Sequence, residues 1–447
     1  MISPRRADGS ASTIEAHAVH AKRNRASGIL VGHFRWVICT LLLFGVTKNY
    51  MDRQVLGVLK ITLQHELGWN EIDYANLVFA FQAAYATGMI VVGRVVDRLG
   101  VRWGYALTMI FWSLASMAHA AGSSLASFMA ARTALGFGEA GVFPASIKAV
   151  AEWFPKKERA LAVGIFNAGT NVGAIATPLI VPWITIHWGW RWAFLSTGGL
   201  GFVLLIFWLW IYRRPEQHPG VSQAELDHIR QDRQVAGKQT NWLALLRRRQ
   251  AWVFITAKFV TDPIWWFYLF WTPDFLQRNH DLNLMQIGVP IMVIYLLADI
   301  GSVTGGWLSS SLIKRGRTVN FARKTTLLIC AVCVLPIMLA YRVESLWGAV
   351  LLIGLAASAH QGFSANLFTL TSDLFPPQAV GSVVGMGGMA GAIGGMLIAK
   401  LVGYTLQWTG SYMIPFLISG SAYLVAVACI QLLSPRLEPA KLPQETA

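Results

Sequence analysis

The chain has 447 residues, of which 55% are hydrophobic and only 13% charged, with 41 glycines and 19 tryptophans. Soluble domains carry about 25% charged residues, so this composition excludes an ordinary soluble protein and fits close-packed helices in lipid with interfacial tryptophans. A net charge of +15 would suggest a nucleic-acid partner in a soluble chain, but its distribution here argues for membrane topology, and no nucleic acid is expected.

Residues 1–35 are polar and basic, with no short apolar region and cleavage site, and read as a disordered cytoplasmic tail rather than a signal peptide. Long apolar runs follow at about 36–59, 74–96, 103–122, 125–151, 160–183, 190–212, 251–276, 286–312, 325–341, 346–372, 380–404 and 410–433, each long enough for a bilayer that needs about 20 residues. Twelve spans put both termini on one side. Outside the spans, the terminus side holds about 26 Lys and Arg and the other side about three, which makes the basic side cytoplasmic. The expected architecture is all-α and integral to the membrane, with six spans (36–212), a polar linker (213–249), six more spans (250–433) and a short cytoplasmic tail (434–447). In the linker, Ser222 with Glu225 forms a capping-box pattern that opens a polar helix through about Gln234, and Trp242 begins a short helix lying on the membrane face.

The first span carries Lys48, Asn49, Tyr50, Asp52 and Arg53. A charge at bilayer depth costs roughly 2.5–3.5 kcal/mol on insertion scales, so it faces a polar interior, a partner or a pathway. Lys48 and Asp52 share one helix face, and Asn49 and Arg53 share the next. Two readings stand: a self-neutralised pair that holds helices together, or an anion site on Arg53 with Asp52 exchanging a proton. In the second span, Gln82 and Tyr85 lie one turn apart. The turn after it reads GxxxDRxGxR through Gly93, Asp97, Arg98, Gly100 and Arg102. Its glycines permit a tight turn, and its charges can latch one face. The equivalent stretch in the second half, Gly306 to Arg317, keeps a glycine and basic residues but lacks the acid.

The fourth span places Arg132 and Glu139 two turns apart on one face, with Gly136 and Gly138 between them, as a packing pair or a proton-accepting site. In the fifth span, Asn167 and Asn171 need polar partners, which a hydroxylated solute or another helix would supply equally well. The seventh span pairs Lys258 with Asp262, followed by Pro263, Trp265, Trp266, Tyr268, Trp271 and Pro273. The aromatics form either an interfacial belt or a wall for a sugar ring, and the prolines can break the helix and free backbone groups for a ligand. Tyr295 pairs with Asp299 in the eighth span, and His360, Ser364 and Asn366 lie mid-span in the tenth. The four cysteines, Cys39, Cys330, Cys333 and Cys429, sit in apolar runs and read as buried thiols. No metal site is expected, and no nucleophile–base pair points to an enzyme.

The stretch from Gly93 to Arg102 matches the signature of the major facilitator superfamily, and Arg132-Thr-Ala-Leu-Gly136-Phe-Gly138-Glu139-Ala140 resembles its RxxxGxGxA pattern. Asn49-Tyr50-Met51-Asp52-Arg53, Glu139 and the Glu152–Arg159 turn resemble the anion:cation symporter family. Asp262 to Trp271, Ile294 to Gly301 and His360 to Asn366 look like bacterial hexuronate transporters. The resemblance covers about Trp36 to Leu433. It implies twelve helices in two pseudo-symmetric six-helix bundles and proton-coupled uptake of a sugar acid by alternating access across the bacterial inner membrane. The protein would be a monomer with protons as coupling ion and no other cofactor. Arg53 would clamp the substrate carboxylate, helped by Lys48, with Tyr50, Tyr85, Asn171, Tyr268, Ser364 and Asn366 reading hydroxyls. Asp52, Glu139 and Arg132 would couple protons, and Gly93, Asp97, Arg98, Gly100 and Arg102 would gate. Lys48 stands where a small or apolar residue is expected. An exporter of another small solute and a transport-derived membrane sensor are the alternative classes.

Overall fold

The computed structural model describes residues 33–231 and 242–440. The N-terminal segment through residue 32, residues 232–241 of the linker and residues 441–447 lie outside it. Fifteen α-helices are present among the described residues: α1 (Phe34–Val58), α2 (Lys60–Leu67), α3 (Glu71–Ala118), α4 (Leu125–Glu139), α5 (Val142–Trp153), α6 (Lys156–Trp188), α7 (Trp190–Ile211), α8 (Gln223–Arg230), α9 (Trp242–Leu246), α10 (Arg249–Asn279), α11 (Gly288–Lys314), α12 (Val319–Val334), α13 (Leu346–Leu374), α14 (Pro377–Thr409) and α15 (Met413–Leu433). Among the described residues, eight segments are long and apolar enough to cross a membrane by length and composition. The charges of α1 explain why a helix of 25 residues does not read as an apolar span.

Breaks in the helices follow from single residues. As a straight rod, the 48 residues of α3 would run about 72 Å at 1.5 Å each, over twice the ~30 Å hydrocarbon core. The helix instead reverses at Gly100, whose φ of 76° and ψ of 166° lie in a region essentially reserved for glycine. The nearest atom to an added Cβ there would be Arg214 Nη2 at 3.9 Å, so space is not limiting. Gly100→Ala is therefore expected to cost about 1–3 kcal/mol of backbone strain, read as a drop of several degrees in the melting temperature of the detergent-solubilised protein. The fourth span divides into α4 and α5 at Ala140–Gly141. Pro144 lies just beyond and cannot donate a backbone hydrogen bond into that turn. In the ninth span, Pro336 coincides with a switch from α12 to a 3₁₀ stretch, Leu335–Arg342.

The break that Pro263 and Pro273 allow in the seventh span does not occur: α10 runs unbroken from Arg249 to Asn279. Packing on neighbouring helices compensates. Gly394 gives the Pro263 ring and the Phe259 carbonyl room by packing directly against them, and one turn before Pro273 the Tyr74 hydroxyl ties α10 to α3 by donating to the Phe270 carbonyl at 2.8 Å.

The helices before and after the linker form two bundles that meet along a seam, with α3 packed on α14, α6 on α11 and α1 on α10. The linker folds back on the first bundle. Ser222 Oγ accepts from Glu225 N at 3.2 Å, but the Glu225 carboxylate turns away from its own helix cap. It accepts from Arg35 N and Nη1, each at 3.1 Å. Arg35 Nε also donates to Glu158 at 2.7 Å, and His228 Nε2 meets the same carboxylate at 2.9 Å. Burial would push the Glu158 carboxyl up, but the hydrogen bonds from Arg35 and His228 outweigh it and hold the group below its usual range. This docking persists at neutral pH and weakens only as pH falls through that lowered value.

Candidate functional site

Arg53 sits at the seam, 1% exposed, and the periodicity of α1 decides what it meets. Its face turns toward α3, α4 and α10. The guanidinium lies over four rings: Tyr50 at 4.6 Å, Tyr85 at 4.9 Å, Trp266 at 5.0 Å and Phe81 at 5.1 Å. Three of these belong to the first bundle, whereas Trp266 comes from α10 of the second. Within this cage, Arg53 Nε and Nη2 donate to Glu139 Oε2 at 3.0 and 2.9 Å, and Nη2 also approaches Asn49 Oδ1 at 3.4 Å. Glu139 is the last residue of α4, placed at the helix break, and its Oε1 is buried without a protein partner. Gly136 lets α4 press against the Phe81 backbone, which brings the carboxylate within reach of Arg53.

Arg132 was expected on the same face as Glu139, and it is buried there. Its Nη2 donates to the Arg53 carbonyl at 3.0 Å rather than to Glu139, and its other nitrogens have no hydrogen-bond partner. Arg53, Arg132 and an ionised Glu139 thus form a water-poor cluster of net charge +1. A carboxylate matches a guanidinium in two parallel hydrogen bonds.

Lys48 and Asp52 occupy the neighbouring face of α1 and do not touch Arg53. They form a buried ion pair, 1% and 0% exposed at the side chains. Lys48 Nζ donates to Ser113 Oγ at 3.1 Å, lies 5.4 Å from the Trp112 ring centre, and fills the space beside Gly201. Ser116 Oγ donates to Asp52 at 3.1 Å. The pair lies inside the first bundle, between α1, the second limb of α3 and α7.

The other marked residues are dispersed. Tyr50 and Tyr85 flank the guanidinium. Asn171 bonds Asp299 across the α6–α11 contact. Tyr268 is enclosed in the second bundle, its hydroxyl without a partner, and Ser364 is half-buried on α13. The Asn366 amide is occupied by the Gly305 and Gly362 carbonyls, each at 2.9 Å. It faces Arg323, whose Nε donates to Asp373 at 2.8 Å. Asp373, at the end of α13, thus pairs with α12 rather than with the basic residues of the second-half loop. At the first-half loop, Arg102 donates to the Leu209 carbonyl at 2.7 Å and Arg98 is exposed. The surroundings of Gly93 and the Asp97 side chain lie outside the described residues. His360 stacks on Trp265 at 5.0 Å and meets the Tyr423 hydroxyl at 2.5 Å.

Sequence reasoning missed a second charged group, at the end of the bundles away from Phe34 and Leu433. Lys60 binds Glu71 at 2.6 Å and Asp274 at 2.9 Å. Arg278 binds Asp274 at 2.9 Å and also pairs with Glu71. Two of these contacts stay within a bundle and two cross the seam. Each bundle contributes one cation and one anion, so each remains neutral when the two separate. Charges at span ends carry no cost signal in a sequence, and nothing in the primary structure pairs Lys60 with Asp274.

Two bundles of membrane helices meeting around a charged, aromatic seam form the architecture of a membrane transporter. The chain belongs to the Major Facilitator Superfamily, whose profile matches residues 42–399. It is 32% identical over 376 residues to the hexuronate transporter of Escherichia coli (strain K12), covering 83% of this chain and 87% of the relative. It is 30% identical over 417 residues to a D-galactonate transporter of Escherichia coli O6:H1, covering 90% and 95%. With a galacturonate transporter of Dickeya chrysanthemi the identity is 33% over 280 residues, covering 61% and 81%. The fold is shared with a bacterial homologue of the lysosomal transporter Spinster (TM-score 0.72, 18% identity, 90% of this chain and 97% of that one). It is also shared with a D-xylose–proton symporter (TM-score 0.73, 14% identity, 91% and 99%).

Proposed function

We propose that the protein takes up a hexuronate or related sugar acid together with protons by alternating access. It would sit in a bacterial cytoplasmic membrane with both termini in the cytoplasm. The observation that carries this reading is the buried Arg53 guanidinium, held by Glu139 inside an aromatic cage built from both bundles. A proton arriving at the free Oε1 of Glu139 neutralises the carboxylate and weakens its hold on Arg53. The substrate carboxylate then takes its place, and the rings of Tyr50, Tyr85 and Trp266 offer a wall for the sugar and hydroxyls to read it. Arg132 holds the Arg53 carbonyl and keeps the end of α4 positive. Asn171, Tyr268 and Asn366 would contribute only in a different facing state, since here they are engaged elsewhere or enclosed, while the half-buried Ser364 has no such engagement among the described residues. Loading changes the relative stability of the two facing states through the contact between Trp266 and the cage. The relatives' names, hexuronate, galacturonate and galactonate transporters, support the cargo class.

The test is uptake of a panel of radiolabelled sugar acids into proteoliposomes under an inward proton gradient. Arg53→Lys keeps the charge but loses the planar fork, so kcat/KM should fall by about 30- to 150-fold, equivalent to ~2–3 kcal/mol. No uptake of any sugar acid by a preparation that moves another cargo would remove the substrate assignment and leave the fold standing. Proton-driven efflux in place of uptake would favour an exporter.

A further inference from the structure

We propose that the Lys48–Asp52 pair is a fixed, non-titrating part of the first bundle, so that one proton, carried by Glu139, accompanies each monoanionic sugar acid. This inference rests on the symport reading above and adds its stoichiometry and electrical character: the cycle is electroneutral. It also revises the expectation that Asp52 exchanges a proton and that Lys48 binds substrate.

The geometry supports it in three ways. First, the pair is enclosed on every side. Ser113, Ser116 and Trp112 face it from α3, and Gly201 faces it from α7. Neither the seam nor the guanidinium of Arg53 touches it. Second, the couple is neutral as a unit wherever its shared proton rests, so adding a further proton would create a net buried charge. Arg132 and Glu139 are the next charged groups in electrostatic reach, and Glu139 already has a cationic partner in Arg53. Third, the charge count balances. The empty site carries Arg53⁺, Arg132⁺, Glu139⁻ and the neutral pair, a net +1. With Glu139 protonated and one monoanion bound, the net charge is again +1. A second proton would raise it to +2 at a depth where charge is costly. The other acids at span depth are also held: Asp262 by Lys258 at 2.7 Å and Asp299 by Asn171.

The reaction is one external proton and one external monoanion becoming one internal proton and one internal monoanion, with no charge crossing. Radiolabelled D-glucuronate, purified wild-type protein and proteoliposomes test it. With the membrane potential clamped at zero, a gradient of one pH unit should sustain about tenfold accumulation. A potassium diffusion potential alone should sustain none. A two-proton cycle would instead give about 100-fold at one pH unit, and about tenfold more for each 59 mV, inside negative. Accumulation driven by potential would overturn the inference and leave the symport reading intact. If D-glucuronate is not accumulated, the same measurement is made on the panel member that is, and absence of both uptake and counterflow for every sugar acid of the panel would overturn the symport reading itself.

A second arm removes the pair as a unit. Lys48→Met with Asp52→Asn should retain counterflow exchange and the same accumulation ratio within about threefold, because the neutral couple is replaced by neutral groups. Exchange without accumulation in this double variant would place proton coupling on Asp52 and overturn the inference. If the double variant does not fold, the wild-type charge measurement decides alone.

Discussion

Glu139→Gln should leave counterflow exchange of sugar acid in place and reduce proton-driven accumulation to about unity. The amide fills the same volume beside Arg53 but cannot ionise, so the guanidinium remains available to substrate at every pH. In the wild type, substrate affinity should fall as pH rises, because the ionised Glu139 reclaims Arg53 at 2.9 Å. In Glu139→Gln that dependence should flatten. The expected loss is large because this one carboxylate links the proton to the binding site, and without it the two states differ by no proton-dependent energy. Accumulation persisting in Glu139→Gln would move the coupling site elsewhere.

Lys60→Met should open the end of the bundles away from Phe34 and Leu433. Lys60 and Asp274 are both fully buried, and their contact exists only when the bundles meet there. Removing one partner of a buried pair costs about 2–5 kcal/mol, so the closed form should lose at least about 30-fold in population. The Lys60–Glu71 contact is lost in both states and largely cancels. Spin labels at His65 and Asn279, exposed positions on opposite bundles, would report the change in a background lacking the four native cysteines. A distance distribution unchanged by Lys60→Met would show that the four-charge cluster does not hold this end shut. The same architecture explains reversibility: Arg278 and Asp274 stay paired when the bundles part, so opening strands no charge.

Lys48 and Asp52 announce their pairing because four residues on a helix is one turn, and the structure shows that pair. Arg53 and Glu139 are each visible as costly charges inside apolar spans, yet nothing local says that they meet across 86 positions. Arg132 looked like the natural partner of Glu139, but the break at Ala140 turns the carboxylate toward α1, leaving Arg132 the Arg53 carbonyl. The prolines of α10 leave their helix unbroken for a related reason. Helix breaking is a local tendency, and packing against Gly394 and Tyr74 overrides it. Asn366 looked available for a ligand, whereas close contact with α11 supplies its partners within the bundle.

The sequence by itself determined what depends on composition and periodicity. It set the membrane class, the all-α fold, the glycine-dependent turn at Gly100, and the charges that must find partners. These are local or summed properties, and lipid enforces them strictly because every backbone group and charge at depth must be satisfied. The tertiary structure decided which charge meets which. It placed Trp266 in the Arg53 cage, turned Lys48 and Asp52 into the first bundle, and joined Lys60, Glu71, Asp274 and Arg278 across the seam. Those choices depend on how two bundles rotate against each other, a geometry that no single helix encodes.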